Sequence, residues 1–84
     1  MTRKELITSL QKIIKPYSQN QEAFKNLTEG TNFINDLKIN SANLIDIILD
    51  VEDEFGIEID NESMEKMLSV KSAIDIIETK LAET

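Results

Sequence analysis

Leu6, Ile7, Leu10, Ile13 and Ile14 recur at the three- and four-residue spacing of a helix with one apolar face. Thr2 and Glu5 form a Thr-x-x-Glu capping box at its start, and Pro16 ends it. The periodicity then lapses. Between Tyr17 and Asp36 the chain is rich in Asn, Ser, Thr and Gly, with Phe24, Leu27, Phe33 and Ile34 as isolated apolar residues. This reads as a loop of about 20 residues pinned by those anchors, and loops of that length in compact domains are usually functional or partly structured.

The strongest helical pattern follows, from Ser41 to Phe55. Leu44, Ile47, Ile48, Val51 and Phe55 share one face, Ile45 and Leu49 lie at its edge, and Asn43, Asp46, Asp50, Asp53 and Glu54 occupy the other. Gly56 is a helix stop. Ile57 to Asp60 alternates like a strand but has no partner strand elsewhere, so it reads as loop. Asp60 or Asn61 can cap a short helix through Met64, Met67 and Leu68, and Ser69 a last one lined by Val70, Ala73, Ile74, Ile77 and Leu81. The predicted fold is all-α: a small four-helix bundle of three principal helices and a short third helix, with a long loop after the first. The 84 residues form a single domain, 1–84, with no internal repeat or linker.

Composition excludes several function classes. The chain has no cysteine and no histidine, which removes disulfides, thiol catalysis, the usual general base near neutral pH and the commonest zinc ligand. No enzyme constellation can be read, and no catalytic residue or metal ligand is assigned. Apolar runs are far too short to span a bilayer, and no signal peptide is visible behind the basic N-terminus, so a cytoplasmic location is expected.

Charge changes the picture most. The net charge is −7, which argues against a nucleic-acid partner. Ser41 to Glu65 holds nine acids (Asp46, Asp50, Glu52, Asp53, Glu54, Glu58, Asp60, Glu62, Glu65) and no Lys or Arg. The remaining 9 basic and 7 acidic residues sum to +2, so the acidity belongs to one region. One reading is a solvated face that keeps the chain soluble. Like charges three and four residues apart repel, however, and such a field also attracts partners with basic patches. Neither glycine fits a calcium loop, because counting back to its first position meets Val51 or Lys25. Ser41, Ser63 and Ser69 all lie near helix starts, and periodicity does not choose among them.

The segment from Asp36 to Ile59, with a serine opening an acidic helix followed at fixed spacing by acids, Phe55 and an Ile57-Glu58-Ile59 segment, resembles the acyl carrier protein family over nearly the whole chain. The hallmark tripeptide differs: Asn40-Ser41-Ala42 stands where Asp-Ser-Leu or Asp-Ser-Met is usual, and Asn43 where an acid is frequent. The resemblance implies that Ser41 is the attachment point for 4′-phosphopantetheine, transferred from coenzyme A by a phosphopantetheinyl transferase. It implies a phosphoprotein that carries acyl thioesters in fatty-acid biosynthesis or related lipid metabolism and is not itself an enzyme. Asp46, Glu52 and Asp53, with Asp50 on the same ridge, match positions presented to basic patches of partner enzymes. Ile45 and Leu49 match apolar positions beside them, which serve either partner contact or an acyl pocket. A monomer is expected. Two other readings stay open: a specialised carrier for an amino acid or secondary-metabolite intermediate, and an acidic helical adaptor that is never modified.

Overall fold

The computed structural model describes residues 2–83. Its helices are α1 (Arg3–Ile14), α2 (Gln21–Lys25), α3 (Ser41–Phe55), α4 (Asn61–Lys66) and α5 (Val70–Glu83), with a 3-10 turn over Lys15–Tyr17. The fold is all-α, as the periodicity predicts. The capping box at Thr2 and Glu5 is formed in both directions, α3 ends on Gly56 in the left-handed region at φ 65, and Asp60 caps α4 through its bond from the Ser63 N–H. The Ser69 hydroxyl accepts from the Ser72 N–H at 3.3 Å at the start of α5.

The first loop departs from the expectation. It contains α2, whose five residues Gln-Glu-Ala-Phe-Lys are too few to establish helical periodicity, and which is held by the Asn20 side chain accepting from Ala23 N–H. The polar residues on either side do much of the bonding. Asn32 Oδ1 accepts from the N–H groups of Ile34 and Asn35, both at 2.9 Å, Asp36 Oδ2 accepts from Asn32 N–H at 2.7 Å, and Thr31 Oγ1 accepts from Thr28 N–H at 2.9 Å. Such side-chain bonds replace the ladder a helix would supply. The loop is then fastened to the start of α5: Asn32 and Ser69 form an antiparallel bridge, Phe33 N–H donates to Leu68 O at 2.9 Å and Val70 N–H to Thr31 O at 3.0 Å.

One apolar core joins these pieces. Leu6, Leu10 and Ile14 of α1, Ile47, Ile48 and Val51 of α3, and Val70, Ala73, Ile74 and Ile77 of α5 are buried, and the loops add Phe33, Leu37, Ile39, Ile57, Ile59 and Met67. Leu37 and Ile39, like Ile57 and Ile59, alternate with exposed residues, so an extended stretch places every second side chain inside. Phe24, Leu27, Leu44 and Phe55 pack against this core as half-buried residues. Ile34 differs from its predicted anchoring role: it is 37% exposed, because the Asn32 turn buries Phe33 and leaves its neighbour outside.

Candidate functional site

Asn40 sits outside α3 in an extended conformation, and its Oδ1 accepts from the Ala42 N–H at 2.9 Å. Ser41 is therefore the first residue of the helix rather than its cap. Its side chain is exposed and its hydroxyl makes no hydrogen bond among the described residues. The two rival serines are both half-buried, where Ser41 is exposed. Ser69 is half-buried, with its hydroxyl 3.0 Å from that of Ser72 and engaged in capping α5. Ser63 lies inside the first turn of the short α4, half-buried, and the cap there is Asp60. An exposed hydroxyl that bonds to nothing, at the positive end of a 15-residue helix, is chemically available and lies where a phosphate is electrostatically favoured.

From Ser41 the outward surface of α3 runs toward Gly56. Ile45 and Leu49, one helical turn apart, are 55% and 54% exposed. Large aliphatic side chains left this open on a helix whose other face forms the core mark a surface suited to a partner. Asp46, Asp50 and Asp53 are exposed beside them, and none forms an ion pair among the described residues. Asp50 accepts a hydrogen bond from the Tyr17 hydroxyl at 3.2 Å, and the phenol is pushed above its ordinary value first by burial and then by the Asp50 charge.

Glu52 stands apart from the other predicted docking residues. It is half-buried, and its Oε2 accepts from the Ile59 N–H at 2.8 Å, so this carboxylate ties the last turns of α3 to the loop behind it. The spacing of Glu52 in the sequence gives no sign of that bond, since it depends on how the chain turns at Gly56. The cap at Asn40 was equally hidden, because either Asn40 or Ser41 could cap a helix that starts there.

A groove of about 580 Å³ is lined by Gly56, Ile57, Glu58, Ile59, Asp60, Lys80 and Glu83. Among the described residues no helix is long and apolar enough to cross a membrane.

No family model matches the chain. Individual proteins do. It is 38% identical over 80 residues to the acyl carrier protein of Lactobacillus acidophilus, covering 94% of this chain and 96% of that one. It is 33% identical over 81 residues to the acyl carrier protein of Coprothermobacter proteolyticus, covering 96% of each. Among solved structures, an acyl carrier protein from Enterococcus faecalis superposes with a TM-score of 0.76 at 34% identity, over 95% of this chain and 99% of that one. The crystal structure of acyl carrier protein from Thermotoga maritima gives 0.75 at 33%, over 96% and 92%. With relatives this similar along nearly the full length of both partners, and with the same arrangement of helices, the chain belongs to the acyl carrier protein family.

Proposed function

We propose that the chain is a single-domain, non-catalytic carrier whose Ser41 bears a 4′-phosphopantetheine arm. The observation that carries this reading is the division of labour at the start of α3: Asn40 caps the helix, which leaves the Ser41 hydroxyl exposed and uncommitted. In loading, Ser41 Oγ forms a bond to the phosphorus of coenzyme A nearer the pantetheine. The bond from that phosphorus to the adenosine 3′,5′-bisphosphate portion breaks, and the serine proton leaves through the transferase, whose magnesium belongs to that enzyme. When present, the arm supplies a terminal thiol on which acyl groups ride as thioesters, a chemistry that a cysteine-free chain otherwise lacks.

The protein's own surface does the rest. Asp46, Asp50 and Asp53, exposed and with no ion pair among the described residues, attract the basic patches of the transferase and of acyl-transferring enzymes of the fatty-acid-synthesis type. Ile45 and Leu49 supply the apolar contact beside them. Glu52 acts mainly from inside, by fixing the loop at Ile59. We place this carrier in the cytoplasm as a monomer. Incubation with coenzyme A, magnesium and a phosphopantetheinyl transferase of broad specificity is expected to add the mass of one phosphopantetheinyl group to the wild-type chain and none to Ser41→Ala. A chain that gains nothing with several transferases is the unmodified acidic adaptor instead. The Asn40-Ser41-Ala42 departure favours a second version of the carrier reading, with an amino acid or a secondary-metabolite intermediate as cargo; the ligase or synthase that charges the loaded protein distinguishes the two.

A further inference from the structure

Lys38 is the only non-glycine residue with positive φ among the described residues, at 58°. That conformation disfavours residues with a Cβ, and it persists only where the surroundings enforce it. They do so here from both sides. Leu37 and Ile39 are buried to 0% and 1%; Leu37 N–H donates to Asn32 O at 3.2 Å, Leu37 O accepts from Gln19 N–H at 3.0 Å, and Ile39 N–H donates to Phe33 O at 3.0 Å. Lys38 itself is exposed and forms no ion pair among the described residues.

Its position gives that free charge a use. Lys38 is the one cation between Lys25 and Lys66. Along the chain the carboxylates stop around Ser41: the first turn of α3 has none, Asn40 and Asn43 are neutral, and the first acid in the helix is Asp46. On the other side the nearest acid is Asp36, whose Oδ2 is bonded to Asn32 N–H. A polyanionic donor such as coenzyme A that approaches a −7 chain meets general repulsion. Along the chain, the positive groups nearest Ser41 are the N-terminus of α3 and Lys38. Three residues of chain span at most about 11 Å, a gap that the flexible four-carbon stem of lysine helps to close.

We infer that Lys38 is a positioning residue for the loading of Ser41, its ammonium the counter-charge to the phosphoryl group that the serine receives. The inference rests on the reading of Ser41 above. Loading rates by intact mass, together with melting temperatures, are measured for wild type, Lys38→Arg, Lys38→Asn and Lys38→Gly. Asn and Gly tolerate the left-handed backbone without the charge, so they separate charge from conformation. At low ionic strength both are expected to load about two- to fivefold more slowly, the value of an exposed ion pair, and to converge on wild type as salt rises. Lys38→Arg keeps the wild-type rate, and Lys38→Gly melts higher while loading more slowly. In the loaded protein, the phosphodiester ³¹P resonance shifts on Lys38→Asn and stays put on Lys25→Asn.

Wild-type loading rates in both neutral variants, or a loss in Lys38→Arg equal to theirs, overturns the role of Lys38 and leaves Ser41 standing. A wild-type chain that gains no mass overturns the reading of Ser41, and the role of Lys38 with it.

Discussion

Glu29, Asp75 and Glu78 converge on one guanidinium, whereas Asp46, Asp50, Asp53 and Glu54 form no ion pair among the described residues. Arg3 pairs with Glu29 at 2.6 Å, with Asp75 at 2.9 Å and with Glu78, and so fastens the start of α1 to the first loop and to α5. Lys71 adds a second partner for Asp75 at 3.0 Å. The acids of α3 lie three and four residues apart on a single helix, where like charges repel, and none is ion-paired among the described residues. The contrast separates two uses of the same side chain. Carboxylates whose charge is satisfied within the fold hold it together; carboxylates left unsatisfied on one exposed face are available to a partner.

The largest effect is expected from reversing the unsatisfied set. Asp46→Lys together with Asp53→Lys should slow association with a partner enzyme by about ten- to a hundredfold at low ionic strength, the range over which electrostatic steering operates. Circular dichroism should stay unchanged, because both side chains are exposed and unpaired. Association that remains at the wild-type rate in low salt would remove this face from docking.

Glu52 tests the boundary between the two groups. Glu52→Ala leaves the Ile59 N–H without its partner and should lower stability by about 1 kcal/mol in denaturant titrations, with a smaller effect on association than the double reversal. If association falls as far and stability does not move, Glu52 belongs with the docking acids. Arg3→Gln should act the opposite way from the reversal on α3, lowering the melting temperature by a few degrees and leaving association unchanged, since its partners all lie in the α1, loop and α5 cluster.

The smallest expected effect is a pH dependence. The carboxyl of Asp75 is held below its ordinary value by Lys71 and Arg3. That of Asp60 is lowered by the Ser63 N–H and then by Lys80, and that of Glu5 by Thr2. A carboxylate depressed in the folded state binds its proton less readily there than in the unfolded chain, so its contribution is complete above the unfolded value and is lost as pH falls through the folded one. Melting temperature should therefore be flat near neutrality and begin to fall as pH drops to the ordinary aspartate value of 3.8. Asp75→Asn should blunt that fall, and an equally steep fall in the variant would detach Asp75 from it.

Legibility in the sequence followed the same division between local and tertiary causes. The span of α3, its stop at Gly56 and the capping box of α1 rest on residues within a few positions of one another and are readable from spacing, which narrows the cap of α4 to Asp60 or Asn61, of which Asp60 is the cap. The helix α2 was not, because five residues carry too little periodicity and its one strong signal, Asn20, is an ordinary loop residue. Ile34 looked like an anchor because it is apolar, yet the turn set by Asn32 decides which of Phe33 and Ile34 goes inside. The proposal of Ser41 rests, in the sequence, on family spacing and on its place between the long loop and the acidic helix. That Asn40 does the capping and frees the hydroxyl depends on backbone geometry, and that Lys38 holds a left-handed conformation depends on two buried neighbours bonded to distant loop atoms.

The exposed serine at the start of α3, and not the half-buried Ser63 or Ser69, is proposed to receive the arm. Fragmentation mass spectrometry of the protein after incubation with coenzyme A, magnesium and a transferase tests it most directly, because it reports which residue carries the added group. A single phosphopantetheinyl group confined to Ser41 is expected, with Ser63 and Ser69 unmodified. The group on Ser63 or Ser69, or spread over several serines, would contradict it.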